Sequence, residues 1–339
     1  MALGRDFISL AEDSPTISVV APNFNEAQTL PELYRRMCEV LDAIGETWEL
    51  ILVDDGSTDG STDIIRSFAE KDGRVRPVIF ARNFGHQIAV TAGLDYSRGQ
   101  AVIIIDSDLQ DPPEVIADLV AKWREGYEVV YAVRTEREGE SWFKLFTASL
   151  FYRIIYRITD VDIPMDTGDF RLLDRKVVNV LNQMRERHRF LRGMSVWVGF
   201  RQIGVPYRRV ARFAGETKYP LKKMMRFASD AITGFSYFPL QVATYMGFIS
   251  ASLSILAIPV VIILRLFGSH NPLIGQATTL IAVLFLGGVQ LISLGILGEY
   301  IGRLYDEAKG RPLYIVREAP EDLEMKEATS DVHSPPAIR

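Results

Sequence analysis

No Asp, Glu, Lys or Arg occurs from Ala231 to Leu264, nor again from Leu266 to Gly298. Each tract outruns the roughly 20 apolar residues with which a helix crosses the hydrocarbon core of a bilayer. A buried helix of that length in a soluble protein carries a polar stripe, and neither tract has one. Only a short polar stretch, Gly268-Ser-His-Asn-Pro272, lies between them. The tracts are therefore expected to form a hairpin of two transmembrane helices, at about 241–266 and 273–299 within a membrane region spanning 239–302.

The flanks of the hairpin are basic. Arg208, Arg209, Arg212, Lys218, Lys222, Lys223 and Arg226 precede it, Arg303, Lys309, Arg311 and Arg317 follow it, and the turn has no Lys or Arg. Cytosolic loops carry the excess of basic residues, which places both ends of the hairpin in the cytosol. The start of the chain, MALGRDFISLAEDSP, has no signal-peptide hydrophobic run, so a large first domain, residues 1–215, is expected on the same side. Residues 216–238, with Met224, Met225, Phe227 and Ile232 set among basic side chains, read as an interfacial amphipathic helix. Residues 303–339 read as a cytosolic tail, its polar, proline-bearing end after Glu318 disordered. The net charge of −5 is an acidic excess away from the juxtamembrane stretch. It argues against nucleic acid as a partner, whereas the basic stretch suits anionic lipid. The single cysteine, Cys38, leaves no internal disulfide and reads as a packing residue of the first helix.

The first two hundred residues alternate short β-branched runs with helical stretches, the pattern of a parallel α/β sheet. Strands are expected at Ile17–Ala21, Leu50–Val53, Val75–Phe80, Ala101–Ile105 and Val129–Val133, with helices near Thr29–Ile44, Ser61–Glu70, Gln87–Ser97 and Pro113–Glu125. The strands run out into APNFNE, DDGSTD, ARNFGHQ and DSDLQDP, so the polar clusters fall on one sheet edge, where open α/β folds bind ligands. No G-x-G-x-x-G follows the first strand and no P-loop is present, which removes the dinucleotide-binding and P-loop readings.

VIIIDSDLQDPPE, Val102 to Glu114, ends an apolar strand in groups that repel one another. Crowded carboxylates raise each other's pKa or take up a cation, and oxygen donors suit a hard divalent ion. Asp106, Asp108 and Gln110 are therefore metal-binding candidates, for Mg2+ or Mn2+. Asp111, before Pro112 and ahead of Glu114, reads instead as the cap of the next helix. Asp54 and Asp55 either start the turn DGSTDGST or, for Asp54, accept a hydrogen bond from the N–H of a nucleobase.

These residues resemble a known family, the inverting family-two glycosyltransferases of GT-A fold, and within it the polyprenyl-phosphate sugar transferases. APNFNE, VDDGSTD, RNFG, DSDLQDPPE, GDFRL, GETKY and LGEYIGR stand in family order from about Ile17 to Arg317. The nearest likeness is to bacterial enzymes that load glucose onto undecaprenyl phosphate for O-antigen glucosylation. The resemblance implies Pro22, Phe24, Asn25, Glu26, Asp54, Asp55, Ser57 and Asn83 as contacts of the donor nucleotide. Phe24 departs from the tyrosine of many relatives, keeping a stacking ring without a phenol. The resemblance makes Asp169 of GDFRL a candidate base, or a group that positions sugar or acceptor, while Arg171 reads as the structural partner of a neighbouring acid. Arg212 and Lys218, with Arg134 after the fifth strand, become the candidates for the acceptor phosphate. It further implies a homo-oligomer, a tetramer, in the bacterial inner membrane.

The expected reaction is inverting transfer of a sugar, glucose from UDP-glucose, to polyprenyl phosphate. Donors of the GDP-mannose, UDP-GlcNAc, UDP-galactose or amino-arabinose type give the same chemistry. A processive polysaccharide synthase is disfavoured, because QMRER at Gln183 lacks the tryptophan of Q-x-x-R-W. A membrane-bound protein that only binds a sugar nucleotide would need no cations at the lipid face.

Overall fold

The computed structural model describes residues 14–135, 167–209, 236, 238–267 and 276–320. These fall into two compact units. Of the described residues, one unit holds 14–135, 167–209 and 311–320, and the other holds 236, 238–267 and 276–310.

The first unit is built on β1 (Ile17–Asn23), β2 (Trp48–Asp54), β3 (Val75–Phe80), β4 (Ala101–Ile104), β5 (Val129–Arg134), β6 (Thr167–Asp174), β7 (Gln202–Tyr207) and β8 (Val316–Glu318). Its helices are α1 (Leu30–Ile44), α2 (Ser61–Lys71), α3 (His86–Tyr96), α4 (Ile116–Arg124), α5 (Arg175–Gln183) and α6 (Leu191–Trp197). All five expected strands and all four expected helices form, with ends shifted by a residue or two; Pro113–Val115 is a 3-10 turn ahead of α4 rather than its first turn. The single sheet runs β7-β5-β6-β4-β1-β2-β3-β8.

The sheet is mixed, not parallel throughout. β6 enters antiparallel between β4 and β5, with Ile104 beside Arg171 and Val129 beside Leu173, and β8 lies antiparallel along β3. The insertion leaves β5 and β7 running in the direction of β1 to β4. The ends of β1, β2, β3, β4, β5 and β7 and the start of β6 thus share one edge. Alternation along β1 sorts its side chains between two layers. Ile17, Val19 and Ala21 join a core with Leu30, Leu33, Met37 and Leu41 of α1 and Ile116, Leu119 and Val120 of α4. On the other face Val20 packs against Gly93 of α3, whose Cβ, if present, would lie 2.1 Å from Val20 Cγ1. Cys38 packs at the margin of the α1 core, as its place in the first helix suggested.

The second unit contains α7 (Phe238–Phe267) and α8 (Gln276–Ala308). Phe238–Ala257 and Ala282–Ala308 are long and apolar enough to cross a membrane. α8 continues well past the expected end near 299, so Glu299 and Arg303 pair at 3.1 Å on its final turns. The Tyr300 hydroxyl donates to the Ser236 carbonyl at 2.7 Å. Arg212, Lys218, nearly all of the expected interfacial helix, the 268–272 turn and the chain after Ala319–Pro320 lie outside the described residues.

Candidate active site

Loops leaving β1, β2, β3 and β4 meet at the shared edge and hold one another. Asn25 takes a left-handed backbone at φ 58°, accepts from Thr58 N at 2.8 Å through Oδ1, and donates its own N–H to Ser57 Oγ at 2.9 Å. The other non-glycine residue with positive φ among those described is Leu109, at 59°, between Asp108 and Gln110. Backbone conformations disfavoured for L-residues persist where the surroundings over-determine them, and they cluster at functional sites. Ser107 Oγ ties the acidic loop to β1 through the Pro22 carbonyl at 2.8 Å.

The expected nucleotide contacts divide by exposure. Phe24 stands 47% exposed on the rim, and Asn83, in the turn after β3, is exposed at the same sheet edge. Glu26 is partly exposed and accepts from Thr29 Oγ1 at 3.2 Å. Asp54 and Asp55 are buried and internally bonded. Asp54 accepts from Ser57 N at 3.2 Å, Asn23 Nδ2 at 3.4 Å and Thr62 Oγ1 at 2.5 Å. Asp55 accepts from the N–H groups of Phe84 at 2.6 Å and Gly85 at 2.9 Å. Burial raises the Asp55 pKa, with these two N–H groups opposing it. Both acids shape loops, and neither faces solvent.

Asp169, at the start of β6, is 8% exposed at its side chain. Oδ1 accepts from Arg192 Nε at 2.7 Å; Oδ2 meets His86 Nε2 at 3.1 Å and accepts from Gln87 Nε2 at 3.0 Å. Gln87 also accepts from Leu191 N at 3.1 Å through Oε1, which aligns the start of α6 and hence Arg192. Burial works to raise the Asp169 pKa, but Arg192 and His86 outweigh it and hold the carboxyl well below the usual range. His86, 43% exposed, also lies 3.6 Å from Asp106 Oδ1. Partial withdrawal from water opposes its protonation; Asp106 and Asp169 override this and push its pKa up to about 9. His86, Gln87 and Arg192 were not singled out by motif, although His86 and Gln87 end the quoted ARNFGHQ cluster.

Asp106 Oδ1 is buried without a hydrogen-bond partner. Burial pushes this carboxyl up to about 6; His86 pulls against it, and Asp169, Asp111 and Asp108 add to it. Asp108 is buried, its Oδ1 accepting from Gln110 N at 3.1 Å. An unsatisfied oxygen crowded by other carboxylates is the kind of donor that fits a hard divalent cation. Among the described residues no three His, Cys, Asp or Glu side chains gather as a metal set.

One expectation is corrected here. Asp111 caps no helix: the 3-10 turn begins at Pro113, with Pro112 at its cap position and no side-chain cap, and Asp111 is fully buried. It accepts from the Tyr207 hydroxyl and lies 3.4 Å from Arg209 Nε and 4.0 Å from Arg134 Nη2. A buried carboxylate is retained only among such donors and cations. Arg134, donating to Tyr207 Oη at 3.2 Å, is thereby partly committed inside the protein. Among the described residues Arg171 makes no ion pair with an acid; it donates to Ser195 Oγ and, at 2.9 Å, to the Gly168 carbonyl, with Asp169 near enough to favour its charge. Burial lowers its pKa to about 10.

A mixed α/β sheet that gathers an acidic strand end, a rim aromatic and a carboxylate clamped by Arg, His and Gln on one edge has the GT-A architecture. Residues 18–181 match the family model Glycosyl transferase family 2, and residues 238–304 match the GtrB C-terminal hairpin. The chain is 49% identical over 316 residues to the uncharacterized glycosyltransferase YkcC of Bacillus subtilis, covering 93% of this chain and 97% of the relative. It is 43% identical over 304 residues to the bactoprenol glucosyl transferase of Shigella phage SfII, covering 89% and 98%. A prophage bactoprenol glucosyl transferase homolog of Escherichia coli is 41% identical over 302 residues, covering 89% and 98%. The chain belongs to glycosyl transferase family 2 and is a glycosyltransferase.

Proposed function

We propose that this enzyme transfers a sugar, glucose from UDP-glucose, to a polyprenyl phosphate with inversion at the anomeric carbon, on the cytosolic face of a bacterial inner membrane that α7 and α8 cross. The observation that carries the reading is the union in one chain of a family-two catalytic sheet with the C-terminal hairpin, shared over about nine-tenths of its length with relatives named bactoprenol glucosyl transferases. A hairpin of that kind keeps the acceptor's isoprenoid tail in lipid while its phosphate meets the cytosolic site. Arg134, Arg212 and Lys218 are the cations proposed for that phosphate.

Phe24 offers its exposed ring to the base, with Asn25, Glu26 and Asn83 around it; Pro22, Ser57, Asp54 and Asp55 set the loops that present them. Asp106, Asp108 and Gln110 would hold Mg2+ or Mn2+, with donor phosphate oxygens or water completing the shell, as is usual for magnesium. When bound there, such an ion would supply positive charge to offset that of the leaving nucleoside diphosphate.

A phosphate monoester, with a second pKa near 6, is already mostly dianionic at neutral pH. Its oxygen forms the bond to the anomeric carbon as the bond to the diphosphate oxygen breaks, and no proton need be removed. Asp169 therefore acts by position: ionised and held at both oxygens by three donors, it orients a sugar or acceptor group. The test uses the full-length protein in detergent with undecaprenyl phosphate and a panel of radiolabelled UDP- and GDP-sugars. A lipid-linked monosaccharide from UDP-glucose is expected. Absence of lipid-linked product from every donor overturns the reading.

A further inference from the structure

After α8 the chain returns to the catalytic unit. β8 lies antiparallel to β3, with Phe80 beside Val316, and Ala81 N donates to the Ile315 carbonyl at 2.9 Å. Arg66 forks onto Glu318 at 2.5 and 3.0 Å, Arg317 Nη2 donates to the Ala81 carbonyl at 3.2 Å, and Arg187 donates to the Arg311 carbonyl. The Tyr314 ring stacks on Phe80, centroids 5.2 Å apart at 14°. Its hydroxyl donates to Asp95 near the end of α3 at 2.8 Å. Phe80 in turn meets Phe84 edge-on at 5.6 Å.

Phe84 and Gly85 are the residues whose N–H groups Asp55 binds, and the next residue is His86, on Asp169. The 81–85 turn is therefore gripped from two sides. Asp55 holds its backbone from the β2 loop, and the Tyr314–Phe80–Phe84 ring series braces it from the β8 side. Gly56 allows the first contact: a Cβ there would lie 2.7 Å from the Arg82 carbonyl carbon and from Asn83 N.

We propose that the segment Arg311–Glu318, through Tyr314, is a positioning element of the transfer site, fixing the 81–85 turn and with it His86 against Asp169. The proposal rests on reading the His86–Asp169 pair as part of that site. β8 also covers an otherwise open sheet edge, but edge cover alone needs no ring at 314. The stack falls on the residue at which β3 gives way to the active-site turn, so motion of that ring pair is delivered to His86. A displacement of about an ångström in a positioned group costs up to about a hundredfold in rate.

The experiment compares Tyr314→Phe, Tyr314→Leu and Tyr314→Ala in the full-length protein, by hydrogen exchange of peptides covering 81–87 and by kcat and KM for donor and lipid phosphate. Tyr314→Phe keeps the ring and loses only the hydroxyl, with its bond to Asp95 and its contact with Arg185, so turnover near that of the unaltered protein is expected. Tyr314→Ala is expected to speed exchange in 81–87 roughly tenfold, leave α1 unchanged, and lower kcat about tenfold with the lipid KM little altered. Tyr314→Leu, which fills the space without a ring, is expected to fall on the Ala side and serves where Ala does not fold. Unchanged exchange in 81–87, or a rise spread evenly over the sheet with normal kcat, reduces the segment to edge cover and overturns the proposal. The exchange arm needs no turnover, so it decides the point even if no donor is transferred.

Discussion

Asp169 gathers three donors from α3 and α6, and such a unit behaves as one group rather than as separable contributions. Asp169→Asn and Arg192→Gln are each expected to lower kcat by about a hundredfold or more. The double variant is expected to fall no further than the worse single one. Additive losses in steady-state kinetics would return Asp169 to an independent role, such as that of a base. The acidic strand end makes a second prediction at this scale. Chelation of divalent ions, or Asp106→Asn, is expected to abolish transfer while the protein still folds, because the buried carboxylates are left without a compensating charge. Full turnover in excess chelator, with the ion removed by dialysis, would contradict it. Asp111 looked like a cap because Asp-Pro-Pro-Glu is a common helix start, yet tertiary packing buried it against Tyr207 and Arg134.

At the scale of elements, α3 carries His86 and Gln87 at its first turn and packs on β1 through Gly93. The close approach sets how near those two side chains come to β6. Gly93→Ala places a methyl 2.1 Å from Val20 Cγ1, inside a buried and branched side chain. Overpacking of this kind costs about 1–3 kcal/mol. A lowered thermal midpoint is expected, with turnover reduced, and part of both is expected to return in Gly93→Ala with Val20→Ala, which removes the opposing methyls. A single variant as stable as the unaltered protein would show that α3 can shift without cost. β6 is the other decisive element: by running against its neighbours it delivers its first residues, among them Asp169, to the edge where the parallel strands deliver their last.

For the whole molecule, the prediction concerns assembly. A Cβ added at Gly287, Gly288, Gly295, Gly298 or Gly302 meets nothing within 4 Å, so the described hairpin makes no use of the close approach these glycines permit. In lipid, helices associate through such close packing rather than through a hydrophobic drive. A homo-oligomer, a tetramer, held through these surfaces is expected, and Gly298→Leu with Gly302→Leu is expected to weaken it. Native mass spectrometry in mild detergent reads the outcome: monomers alone for the unaltered protein would refute the assembly.

Periodicity and punctuation were local properties, and the sequence alone carried them. Val75–Phe80 was legible to the residue, the apolar tracts announced α7 and α8, and the Asp106–Asp108 pair declared a charge conflict at a strand end. Even the family could be named from motif order. Local pattern says which residues form a strand, but not which strand lies beside it, because pairing is chosen by burial and hydrogen bonds between distant segments. Hence the antiparallel entry of β6 was invisible, and so was the meeting of Asp169 with His86 and Gln87, 83 and 82 residues away. The return of β8 to β3, with Arg317 bonded to Ala81 across 236 residues, was hidden for the same reason. Those contacts exist only once the sheet has closed, since what places each group is the edge it shares with strands it does not adjoin in the chain.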